Sequence, residues 1–155
     1  MPPESATITV DTTVSAPADT IYRLLTDLPT LAELGEEVVD MRWAKGETAA
    51  VGNVFRGRNR NGWHRWTTTC TVTDADGATF AFDVSYFGFP IARWRYDVTP
   101  DDNGGCRVTE RMWDRRLEPF KATAHLFTGV RDRVAANDGH MRTTLARLKT
   151  RAETV

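Results

Sequence analysis

Residues 120–152 read FKATAHLFTGVRDRVAANDGHMRTTLARLKTRA, and their periodicity decides the fold. On a helical wheel Phe127, Val130, Val134, Met141, Leu145, Leu148 and Ala152 fall on one narrow arc. His125, Arg131, Arg133, Arg142 and Arg147 take the flanks or the far side. The pattern predicts an amphipathic helix of roughly 30 residues, long for a soluble protein. Its apolar arc needs a partner surface, and nearly everything upstream reads as strand, so the partner is a curved antiparallel sheet. Asn137-Asp138-Gly139 interrupts the pattern, because a glycine inside a helix costs about 1 kcal/mol relative to alanine. Two readings fit it: a kink, or a junction between a helix ending near Ala136 and another starting near Asp138.

Working back from the helix, residues 38–44, 51–59, 63–73, 79–87, 92–99 and 106–114 form successive strand-like runs. Asn61-Gly62, Asp74-Ala75-Asp76-Gly77 and Gly88-Phe89-Pro90 separate several of them as hairpin turns, which describes a meander. Ahead of these, residues 6–14 alternate Ile8, Val10, Thr12 and Val14 against Thr7, Thr9, Asp11 and Thr13, a half-buried first strand. Ser15 or Ala16 then reads as the cap of a short helix with Pro17 in its first turn. Its apolar face is Ile21, Leu24, Leu25 and Leu28. Pro29 stops it, and a second short helix follows over residues 30–34.

The chain has 155 residues, 41% hydrophobic and 26% charged, with a formal net charge of -1. That composition suits one folded domain over residues 1–155, with a core that needs neither metal nor disulfide. The charges are unevenly placed. Glu4, Asp11, Asp19, Asp27, Glu33, Glu36, Glu37 and Asp40 face Arg23 alone in residues 1–40, whereas residues 51–73 hold Arg56, Arg58, Arg60 and Arg65 and no acid. Faces that attract each other across the fold explain this. So does a basic rim that steers an anionic ligand or membrane surface. Cys70 and Cys106 lack metal-ligand spacing and read as buried free thiols, with a cross-strand disulfide as the alternative. The opening MPPESATITV is no signal peptide and no run reaches membrane-spanning length, so a cytoplasmic location is expected.

Particular residues bring a family into view. The segment VSAPADTIY at residues 14–22, followed by Leu25-Thr26-Asp27, and the ending MRTTLARLK at residues 141–149 resemble the START-like superfamily. This is the polyketide cyclase/dehydrase and lipid-transport (SRPBCC) superfamily, which shares its helix-grip fold with birch-pollen-allergen-like proteins. The likeness extends from about Ile8 to Ala152, and small actinobacterial members are similar. It implies an α+β fold: a seven-stranded curved antiparallel sheet wrapped around a long C-terminal helix, with two short helices after strand 1. One departure is that Leu31 and Leu34 stand where relatives often carry tryptophan.

Alternation assigns the concave face. It carries Trp66, Thr68, Cys70 and Val72; Phe80, Phe82, Val84 and Tyr86; Ala92, Trp94, Tyr96 and Val98; and Cys106, Val108, Glu110 and Met112. Trp43 and Phe55 join from the second and third strands, and Phe127, Val130, Val134 and Met141 from the helix. Such a lining suits a flat hydrophobic ligand, and it equally suits rings that fill a solid core. Glu110 is the informative residue, since an unpaired carboxylate there is costly. It would pair with an arginine, hold a ligand's polar end, or act as an acid/base with a raised pKa, unless a bulge turned it outward.

The leading expectation is non-enzymatic binding or transport of a small hydrophobic molecule: a lipid, a fatty acyl chain or a polyketide-like aromatic. The alternative is an aromatase, cyclase or dehydratase in which Glu110 acts as acid/base and Tyr86 and Tyr96 as hydrogen-bond donors. A third reading engages an anionic membrane through Arg56, Arg58 and Arg60. His64, His125 and His140 form no constellation, and neither phosphate loop nor dinucleotide fingerprint is present, so no metal and no cofactor are expected. Basic residues are not gathered with exposed aromatics, which argues against nucleic acid. A monomer or a homodimer fits equally.

Overall fold

The computed structural model describes residues 5–117, 121, 126 and 132–154. The chain opens with β1 (Ile8–Val14), which buries Ile8, Val10 and Val14 and exposes Thr9, Asp11 and Thr13. Helices α1 (Ala18–Thr26) and α2 (Leu28–Leu34) follow and meet at Asp27. The extended backbone of Asp27 ends α1, and its side chain accepts from Thr30 N at 3.2 Å to begin α2. The break therefore precedes Pro29, which sits in the first turn of α2, where its missing N–H is no loss. Pro17, not Ser15 or Ala16, precedes α1, and Ser15 N donates instead to Glu153 Oε2 at 2.8 Å.

The meander comprises β2 (Val38–Lys45), β3 (Val54–Asn61), β4 (His64–Ala75), β5 (Thr79–Tyr86), β6 (Phe89–Pro100) and β7 (Cys106–Asp114). With β1 they make one antiparallel sheet in the order β1-β7-β6-β5-β4-β3-β2. Several strand bounds shift by one or two residues from expectation, and two starts move by three. β3 starts at Val54 because Val51 and Gly52 turn the chain, with Gly52 at φ 89°. β6 starts at Phe89 because Phe87 (φ 49°) and Gly88 (φ 81°) already complete the hairpin turn. The inward sets on β5, β6 and β7 follow the alternation: Phe80, Phe82, Val84, Ala92, Tyr96, Val98, Cys106, Val108, Glu110 and Met112 are all buried. No bulge disturbs β7, where Glu110 lies opposite Val10 on one side and Tyr96 on the other. Cys70 and Cys106 are buried free thiols.

Helix α3 (Arg133–Glu153) is 21 residues long and buries Met141, Thr144, Leu145, Leu148 and Ala152. Two expectations are corrected here. The helix does not run unbroken from residue 120, because Asp132 has non-helical backbone (φ -106°, ψ 88°) and its side chain accepts from Ala135 N at 3.0 Å. Nor is there a break at Asn137-Asp138-Gly139, which lies inside continuous helix. A capping aspartate at the start outweighs the modest propensity penalty of one interior glycine. Phe127 and Val130, with His125 and Arg131, lie outside the described residues.

The uneven charges are joined across this helix. Arg151 reaches Glu33 at 2.5 Å, Arg147 Nη1 donates to Gly35 O at 3.2 Å, and Lys149 Nζ donates to Thr13 O at 2.8 Å. These contacts tie the last turns of α3 to the end of β1 and to α2 and the residue after it. Among the described residues, no helix is long and apolar enough to cross a membrane.

Candidate functional site

The sheet curves around α3 without closing on it. Between them lies a cavity of about 220 Å³, walled by the concave faces of β4–β7, the end of α2 and the first turns of α3. Trp66, Thr68, Phe82, Tyr86, Trp94, Tyr96, Glu110, Met112 and Met141 line it, as alternation and the helical wheel place them. Cys70 is also on the wall, and burial pushes its thiol up to about 12, despite an opposing hydrogen bond with Thr68.

Three expected residues lie elsewhere. Phe55 is fully buried and meets Trp43 edge-on, with ring centroids 5.5 Å apart, and Phe82 at 5.0 Å. Both Trp43 and Phe55 therefore belong to the solid part of the core: period-two alternation gives the right face but not the position along the strand. Val134 packs partly against the core but is not on the cavity wall. The cavity borders the flank of α3 that carries Arg133, Asn137, His140 and Thr144, so Arg133 rather than Val134 stands on the wall.

At the inner surface, Glu110 is 1% exposed and pairs with Tyr96, not with an arginine. Burial raises its carboxyl pKa from 4.5 to about 8, although the hydrogen bond donated by Tyr96 works the other way. Burial, with the neighbouring Glu110 carboxyl, pushes the Tyr96 hydroxyl well above its ordinary value. At neutral pH the pair is thus an un-ionised acid beside an un-ionised phenol. Oε1 of Glu110 has no hydrogen-bond partner among the described residues.

A second polar group stands where α3 begins, and sequence reasoning missed it. Arg133 Nη1 bonds Glu37 Oε1 at 2.5 Å, and its guanidinium lies 5.6 Å from the centroid of the Trp66 ring. His140 sits beside it, Nδ1 3.4 Å from Glu37 and Nε2 3.3 Å from Glu36. Asp114 and Arg116 form a further pair on the wall at 2.9 Å, each side chain 10% exposed. The sequence had shown the acids Glu36 and Glu37 within an acid-rich first 40 residues and Arg133 on the flank of the helix, but neither signal specifies partners.

The arginines of β3 stand on the outer surface. Arg58 is held by both carboxylate oxygens of Asp40, and Arg60 Nε donates to Gly62 O at 3.0 Å. Arg56 is exposed. Among the described residues there is no cluster of metal-ligating side chains.

A curved seven-stranded antiparallel sheet gripping a C-terminal helix, with two short helices after the first strand and a hollow between, is the helix-grip fold. Residues 5–153 match the family described as polyketide cyclase / dehydrase and lipid transport, and the chain belongs to that family. No curated protein sequence matches it significantly. Three solved structures illustrate the likeness. The polyketide-cyclase-like protein Cgl2372 from Corynebacterium glutamicum is 22% identical, with TM-score 0.64, covering 99% of this chain and 94% of its own. Major latex-like protein 151 from Panax ginseng is 14% identical, with TM-score 0.69 over 94% and 95% of the two chains. The di-domain aromatase/cyclase StfQ of the steffimycin biosynthetic pathway is 12% identical, with TM-score 0.68, over 94% of this chain and 44% of that one. At such identities the likeness is one of fold.

Proposed function

We propose that the protein binds and carries a small hydrophobic molecule in the hollow between the sheet and α3, without transforming it. The observation that supports this is the cavity of about 220 Å³ with a wall of Trp66, Phe82, Trp94, Met112 and Met141. On the scale where an apolar cavity of about 150 Å³ admits benzene, that volume takes about ten non-hydrogen atoms. A bicyclic ring or a short acyl chain fits within it; a long acyl tail would emerge at the mouth. Burial of apolar surface at about 25 cal/mol per Å² supplies the affinity. Cys70, on the wall, is held as a thiol, which favours carriage over thiolate chemistry. Native mass spectrometry of the purified protein against a chemically broad hydrophobic panel tests this. One-to-one adducts with ring compounds of about ten to fifteen heavy atoms are expected, and uniform failure would overturn the reading.

One observation favours a second reading, an aromatase, cyclase or dehydratase. Glu110 faces the hollow with its pKa raised to about 8, which suits a general acid at neutral pH, and Tyr96 and Tyr86 stand on the same wall. The family description and StfQ are consistent with such chemistry. Turnover of a poly-β-ketone that collapses in a well-folded Glu110→Gln variant would establish it; turnover unchanged by that substitution would remove Glu110 from the reaction.

A further inference from the structure

Two buried polar atoms belonging to residues that line the cavity have no hydrogen-bond partner among the described residues, Glu110 Oε1 and Arg133 Nη2. Folded proteins leave few such atoms. Here the two come from separate elements, β7 and the start of α3, and both residues line the same hollow. We infer that the cavity is built for a ring-bearing molecule with a neutral carbonyl oxygen, which accepts a hydrogen bond from Arg133 Nη2 while the ring occupies the aromatic lining. This rests on the carrier reading above and narrows its ligand class.

The chemistry of the donor decides the partner. A guanidinium only donates, so what Nη2 lacks is an acceptor. Nη1 is already bound to Glu37, and the plane is held over Trp66, so the free N–H is fixed in place before any ligand arrives. Neutrality follows from the neighbours. Glu37 compensates the charge of Arg133, and Glu36 brings a second carboxylate beside His140. A ligand carboxylate would meet both acids, whereas a ketone, ester or amide oxygen meets only the unsatisfied N–H. Glu110 Oε1, which has no hydrogen-bond partner among the described residues, offers a second polar contact to a ligand with another oxygen. A hydrocarbon of the same shape would leave both atoms unpaired, the situation in which polar sites discriminate most strongly.

The test compares 1-indanone, indane and indane-1-carboxylate in NMR-monitored titrations at pH 8, using the wild type and the charge-balanced double variant Arg133→Met/Glu37→Gln. Circular dichroism confirms that the variant is folded. In the wild type 1-indanone is expected to bind at least about tenfold more tightly than indane, and more tightly than the carboxylate. In the double variant the preference over indane should fall below about twofold. Equal binding of ketone and hydrocarbon by the wild type, or a preference that survives in the variant, overturns the inference and leaves the carrier reading intact. Tighter binding of the carboxylate overturns the neutral-oxygen assignment. If neither indanone nor indane binds, this inference is overturned, while the carrier reading is decided by the broad panel described above.

Discussion

Tyr96 and Glu110 stand directly opposite each other on β6 and β7, and the tyrosine hydroxyl donates to a carboxyl held un-ionised by burial. The stability of the fold should record this. Unfolded, the carboxyl loses its proton near 4.5; folded, it keeps it to about pH 8. Between those values the folded state binds more protons, so this group's contribution falls as pH rises towards 8 and then levels off. At 1.36 kcal/mol per pKa unit the decline is about 3–5 kcal/mol. Urea denaturation at pH 6, 7 and 8.5 should show wild-type stability dropping, while Glu110→Gln stays nearly flat over that range and overtakes it. Parallel curves for the two proteins would contradict the assignment.

Replacing Tyr96 by Phe removes the donor to Glu110 without emptying the ring's place in the core. The loss should amount to about 1–2 kcal/mol at pH 6. Because that hydrogen bond lowers the carboxyl's pKa, its removal should move the pH-dependent decline upward. The same urea series reads both effects.

Phe55 and Trp66 separate the packed part of the interior from the hollow part. Phe55 is fully buried among Trp43, Phe80 and Phe82, so Phe55→Ala should cost about 3–5 kcal/mol. Trp66 is partly exposed on the cavity wall beneath Arg133. Trp66→Leu should cost less than about 1.5 kcal/mol while weakening ligand uptake. Thermal melts and native mass spectrometry of the two variants distinguish these roles; a reversed ranking would mean the hollow is misplaced.

Helix α3 offers a pair of opposite effects. Asp132→Ala removes the cap on Ala135 N and should destabilise by about 1 kcal/mol. A Cβ on Gly139 would meet nothing within 4 Å, so Gly139→Ala should stabilise by up to about 1 kcal/mol. A loss on Gly139→Ala would mean that the helix is broken there after all.

What the sequence revealed and what it hid follow from the range of each signal. Cys106, Val108, Glu110 and Met112 could be placed on the inner face because alternation is local and β7 carries no bulge. Trp43 and Phe55 were given the right face but the wrong neighbourhood, since alternation does not say how far along a strand the hollow begins. Arg133 was assigned to the flank of the helix, and the cavity borders that very flank, with Asn137, His140 and Thr144, rather than the centre of the apolar arc. Its partner Glu37 lies 96 residues away, and His140 joins them only once α3 docks beside the end of α2. Contacts of that kind depend on the assembled fold, and residue spacing does not encode them.

The central claim is that the interior hollow receives a ligand, and three methionines report on it directly. Met41, Met112 and Met141 all line the cavity, from β2, β7 and α3. With ¹³C-methyl-labelled methionine, titration with 1-indanone or another ring compound of similar size should move all three signals together along one saturable curve. Methyl signals that stay fixed while a chemically broad panel is raised to its solubility limit would contradict the account.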